Sequence, residues 1–153
     1  MNPFLQRLLI AGAALLVLLG VNVSIVAKER IKTNGDKIYL QLAPVDPRSL
    51  MQGDYMALRF ELAAHIPLDG AGSAGLIVAP NGIATYNPDQ SAPGLRIRYR
   101  IRNQQVWLGT NAYFFEEGTA QRYAGARYGE FRVDRDSGEA VLVGLAGDDL
   151  VRK

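Results

Sequence analysis

The chain has no cysteine, one histidine, one tryptophan and a formal charge of only +2 over 153 residues. Without cysteine there are no disulfides, no thiolate metal sites and no thiol nucleophile. The single histidine, His65, is too few to hold zinc through imidazoles. So small a charge, without a basic domain interleaved with aromatics, argues against nucleic acid as a partner. Internal repeats and low-complexity tracts are absent too. Ser49, Ser73, Ser91 and Ser137 lie outside any nucleophile-elbow pattern, so no hydrolase triad with His65 is signalled.

What the chain does have is a long apolar run. Leu8 to Ala27 holds no charged residue, and only Asn22 and Ser24 interrupt it. Twenty residues at about 1.5 Å each match a hydrocarbon core of about 30 Å. A cleaved signal peptide would need small residues in an A-x-A pattern before the cut. The best local candidate ends at Ala27 with Ile25 two positions earlier, which points to a retained anchor. Counting basic flanks sets Arg7 and the terminal amine against Lys28, Arg30 and Lys32, and by itself would put the domain in the cytoplasm. The short N-terminal tail favours the opposite orientation.

Beyond the anchor, turn signals come often and hydrophobic alternation is short. Lys37 to Leu42, Met56 to Ala63, Leu76 to Ala79, Ile83 to Tyr86, Leu95 to Ile101, Val106 to Phe115, Gly129 to Val133 and Ala140 to Leu145 are the expected strands. Three hairpins are expected, around Pro80-Asn81-Gly82, Asn103 and Asp136-Ser137-Gly138. The fold class is therefore all-β: a small antiparallel sandwich or barrel of about eight short strands behind one transmembrane helix. Residues 1–7 form a short cytoplasmic tail, 8–27 the anchor, 28–36 a polar connector, 37–147 the β-domain and 148–153 a charged tail.

The densest polar cluster lies at Asp46, Pro47, Arg48, Gly53, Asp54 and Tyr55. Asp46 precedes a proline, which biases it toward extended backbone and suits an N-cap. Pro47 fits the first helical position, and Gly53 fits the left-handed stop. Met56, Leu58, Phe60 and Leu62 then alternate with Ala57, Arg59 and Glu61, the pattern of a strand with one buried face. A capped turn feeding a core strand accounts for the cluster. A catalytic carboxylate pair at Asp46 and Asp54 would need environments that separate their pKa values, and the sequence signals none.

Gly53-Asp54-Tyr55, then Leu58 and an aromatic at 60, resembles the G-D-Y-x-x-L-x-Y motif of the bacterial GDYXXLXY-domain family. Pro44-Val45-Asp46-Pro47-Arg48, Tyr113-Phe114-Phe115-Glu116-Glu117-Gly118 and Ala126-Arg127-Tyr128-Gly129-Glu130-Phe131 resemble it as well. Phe60 departs from the motif by lacking the phenolic hydroxyl. The resemblance implies a membrane-anchored envelope protein of no established activity, with its domain in the periplasm, and supplies no catalytic residues. The same stretch is loosely similar to the nucleophile region of signal peptidases. Aligned on Gly53-Asp54, however, Val45 or Pro44 stands where their serine belongs. Lys28, Lys32, Lys37 and Lys153 all sit in polar or terminal contexts, unlike a desolvated base.

Arg96, Arg98, Arg100 and Arg102 alternate with Leu95, Ile97, Tyr99 and Ile101, so a strand would place the four guanidiniums on one face. They are expected either to pair with acids such as Glu116, Glu117 or Glu130 or to form an anion-binding face. Together these features predict a single-pass protein of the bacterial inner membrane, held in the bilayer by Leu8–Ala27. Its domain is expected to be a non-catalytic interaction module without cofactor or metal, serving a multi-spanning membrane protein. The alternatives are a hydrolase using Ser49, Asp46 or Asp54, and an anion-binding module on the arginine strand.

Overall fold

The computed structural model describes residues 3–43, 51–52, 55–69 and 72–153. A single helix, α1, runs over Pro3–Asn34 and is long and apolar enough to cross a membrane. None of its most apolar stretch is buried within the chain. The polar residues from Lys28 to Asn34, expected as a connector, continue the helix. They contain neither proline nor glycine, and polarity by itself does not break a helix. The Asn34-Gly35 signal does end it, with the Gly35 amide donating to the Ile31 carbonyl at 2.8 Å.

Ten strands follow among the described residues. In chain order they are β1 Asp36–Gln41, β2 Met51–Gln52, β3 Tyr55–Ala57, β4 Gly72–Val78, β5 Ile83–Tyr86, β6 Arg96–Arg102, β7 Gln105–Trp107, β8 Ala112–Phe114, β9 Tyr128–Val133 and β10 Ala140–Ala146. Seven form one sheet in the order β10-β9-β1-β5-β4-β6-β7, and β2-β3-β8 form a small second sheet. All pairings are antiparallel except β1 with β5.

The large sheet curls into a half-barrel. Its far ends approach one another where the Arg98 amide donates to the Gly138 carbonyl at 2.6 Å. A Cβ on Gly109 would stand 2.8 Å from the Ala140 carbonyl oxygen, and one on Gly138 would stand 3.2 Å from that of Arg96. Of the two expected forms, sandwich or barrel, the curl departs from the sandwich and stands nearer the barrel, because one sheet bends round to cover its own apolar face.

The three expected hairpins are present as β4–β5, β6–β7 and β9–β10. Two expected strands are broken. Met56, Leu58, Phe60 and Leu62 are all buried, as their alternation requires. Yet β3 stops at Ala57, and Glu61–His65 winds into a 3-10 turn that packs on β1, β5 and β7. The segment thus lies across the concave face instead of extending a sheet edge. Val106 to Phe115 divides at Gly109, whose φ of 80° turns the chain from β7 in the large sheet to β8 in the small one. Ala120–Tyr123 forms a single helical turn, α2. The core comprises Ile38, Leu40, Leu58, Ile97, Leu108, Phe131, Val133 and Leu145, all essentially inaccessible to solvent.

The expected charged tail folds back instead. The Lys153 amide donates to the Leu145 carbonyl, and Arg152 bridges to Ala146. The Arg152 guanidinium donates to both carboxylate oxygens of buried Glu130, at 3.0 and 3.2 Å. Lys37 lies at 3.8 Å from the same carboxylate. Arg152→Ala leaves Glu130 with the more distant lysine alone. It is expected to cost about 1–3 kcal/mol, the price of an under-satisfied buried group, and to lower the urea midpoint; an unchanged midpoint would show the tail is energetically idle.

Candidate functional site

Asp46, Pro47, Arg48, Ser49, Gly53 and Asp54 lie outside the described residues, but the ends of their segment are fixed. Leu42 bridges to Phe60, and the Ala43 amide donates to the Arg59 carbonyl at 2.8 Å. The chain thus leaves β1 beside the stretch that follows β3.

Tyr55 opens β3 opposite Phe114 of β8, with ring centroids 5.8 Å apart. Leu58 is core, and its amide donates to the Asn111 carbonyl at 2.7 Å. Phe60 sets its edge against Phe131 at 5.2 Å, which makes it a packing residue. Gly129 belongs to the same contact, since a Cβ there would stand 2.8 Å from Phe60. Tyr113 and Phe115 both pack on Tyr123, at 5.2 and 5.3 Å. Burial, then the Tyr123 hydroxyl, pushes the Tyr113 phenol above its ordinary pKa. Three separated motif segments, at 55–60, 113–115 and 129–131, therefore meet through their aromatic rings.

His65 ends the 3-10 turn and stacks on Tyr86, with centroids 6.2 Å apart. The two rings line a cavity of about 440 Å³ with Gln41, Glu61 and Thr85. Of the serines considered as nucleophiles, Ser73, Ser91 and Ser137 are engaged elsewhere. Ser73 accepts from Arg96, while Ser91 and Ser137 donate to Asp89 and Asp134. Those hydroxyls, followed by the serines' own amides, hold both carboxyls below the ordinary aspartate range. Among the described residues no three of His, Asp and Glu gather as a metal site.

The arginine strand is split in its contacts. Arg96 is half-buried and committed, donating to Ser73 Oγ, the Ser73 carbonyl and the Gln90 carbonyl at 2.8–2.9 Å. Arg98, Arg100 and Arg102 are exposed and line a cleft of about 230 Å³ with Lys28, Trp107 and Glu139. The expected acid partners are not used. Glu130 serves Arg152 and Lys37, and neither Glu116 nor Glu117 forms an ion pair among the described residues. Arg102 instead stands over the Trp107 ring at 5.6 Å. Trp107 did not stand out in the sequence, and Lys28 entered only as a flank of the anchor and as a lysine in a polar context. Lys28 lies some seventy residues from the arginines, and only the docking of α1 joins them.

The protein is thus a curled β-sheet domain carried directly on one long apolar helix. The chain belongs to the GDYXXLXY protein family, whose profile matches residues 17–145. The match takes in the end of the apolar run and nearly all of the domain, so the resemblance carried by the aromatic motifs holds. The family has no established activity. No curated protein and no solved structure matches the chain.

Proposed function

We propose that this is a single-pass protein of the bacterial inner membrane. Its β-domain stands on the periplasmic side as a non-catalytic interaction module for a multi-spanning membrane protein. The observation that carries the reading is α1, long and apolar enough to cross a membrane, with the large apolar side chains from Leu8 to Leu18 exposed.

The docking of the domain sharpens where the bilayer would sit. Asn22, Val23, Val26 and Ala27 share a cleft with Asp134, Ser137 and Glu139 of the β9–β10 turn. Those polar groups belong with headgroups, which sets one bilayer surface near the C-terminal end of the Leu8–Ala27 run, with Arg7 at its other end. Asn22 satisfies its own amide by donating to the Leu18 carbonyl at 2.8 Å, as a polar group near lipid must.

An interaction role draws support from β8. Phe114 is 74% exposed beside Tyr55, on a three-stranded sheet at the domain surface, and exposed aromatics are favoured interface anchors. The tests are membrane extraction and co-purification. Alkaline carbonate is expected to leave the chain in the pellet, and mild-detergent purification to return a multi-spanning partner that Phe114→Ser loses. Repeated recovery of the chain alone counts against the module.

A further inference from the structure

We propose that the cleft between the anchor helix and the sheet, built from Lys28, Arg98, Arg100, Arg102 and Trp107, binds the phosphate of an anionic phospholipid headgroup. The inference rests on the anchor reading, because Lys28 is the first charged residue after the apolar run and thereby sets the cleft at headgroup depth.

The chemistry is that of an anion site made of donors. Lys28 is neutralised by its ion pair with Glu139, which leaves three guanidiniums in excess around the cleft. Arg98 and Arg100 have no ion-pair partner among the described residues. Trp107 Nε1 is buried and has no hydrogen-bond acceptor among them. Native structures rarely leave such a donor unpaired without a reason. Guanidiniums present paired N–H groups suited to phosphate oxygens, and a tryptophan flanked by cations suits the bilayer interface. The cleft is too small for a folded partner and has the dimensions of a headgroup.

Like charge also argues for an occupant. Neighbouring arginines at period two on one face repel, and a phosphate among them relieves that repulsion. Arg96 marks the limit of the site, since its guanidinium is already satisfied by Ser73 and Gln90.

Trp107 is the only tryptophan of the chain, so its emission reports on this cleft alone. The full chain in non-ionic detergent is titrated with dihexanoyl phosphatidylglycerol, dihexanoyl phosphatidylcholine and inorganic phosphate. Phosphatidylglycerol is expected to change Trp107 emission saturably, with a midpoint that rises with salt as exposed charges are screened. Arg98→Gln with Arg100→Gln is expected to weaken it at least about tenfold by removing charge-assisted contacts. Arg135→Gln, distant in role and paired with Asp36, is expected to leave it unchanged. An equal response to phosphatidylcholine, a response to phosphate alone at the same concentration, or an unaltered titration in the double variant overturns the site. Carbonate extraction is read separately. Release of the chain removes the anchor, whereas a retained chain with no response to phosphatidylglycerol removes the cleft.

Discussion

Replacing Leu15 and Leu16 together by arginine is expected to move the chain from the membrane fraction to the soluble one. Both side chains are exposed, at 58% and 71%, and lie within the apolar stretch of α1. On the insertion scale a leucine at mid-helix favours the bilayer by up to about 0.6 kcal/mol, and an arginine opposes it by about 2.5–3.5 kcal/mol. Two exchanges therefore swing insertion by roughly 6–8 kcal/mol, more than snorkelling recovers near the helix centre. The β-domain is expected to keep its circular dichroism, since the domain docks at the other end of the helix, around Ile31 and Lys28. Leu15→Ala with Leu16→Ala is the control and is expected to stay in the membrane. A doubly arginine-substituted chain that still resists carbonate would mean that something other than α1 holds it there.

Phe131→Ala is the largest effect expected within the domain. Phe131 is fully buried in β9, opposite Ile38 of β1 and Leu142 of β10, with its ring against Phe60. It therefore joins the large sheet to the segment that crosses its concave face. Large-to-small exchanges at such sites cost about 3–5 kcal/mol, a large share of the roughly 5–15 kcal/mol that holds a domain together. Thermal unfolding of the full chain in detergent is expected to fall by about 10–20 °C. Ile77→Ala, on the outer face of β4 and 52% exposed, is the comparison and should change stability by no more than about 0.5 kcal/mol. Similar losses from the two substitutions would mean that the core lies elsewhere.

The parts of this fold that could be read from sequence are those fixed by neighbours in the chain. Asn81-Gly82, Asn103 and Ser137-Gly138 mark real hairpins because the required turn conformations are local. Gly82, Asn103 and Gly138 each take a positive φ. The burial of Met56, Leu58, Phe60 and Leu62 was equally legible from alternation, although the strand was not, since alternate burial needs only one covered side. The parallel pairing of β1 with β5 leaves no local mark; it joins Tyr39 to Ile83 across the motif loop. The Glu130–Arg152 pair was hidden for the same reason. An acid in a strand and an arginine near the end of the chain each looked solvated until the sheet brought them together. For the site, alternation placed four arginines on one face but could not separate Arg96, whose partners Ser73 and Gln90 come from other segments. The turn at 44–54 keeps its capping logic in sequence, but Met51–Gln52, expected to close a helical turn before Gly53, pairs instead with β3 as β2.

Asp36 begins β1 directly after the helix ends at Asn34. A chain with a slack tether would let its domain tumble and sample every bearing above the bilayer. Here there is no slack, and the Lys28–Glu139 and Arg132–Gly35 contacts brace the joint on the β9–β10 side. The helix acts as a mast with a fixed heading: rotation of α1 about its axis becomes rotation of Phe114 and of the arginine cleft through the same angle. A neighbour that grips the mast inside the bilayer thereby decides which way the domain faces outside it.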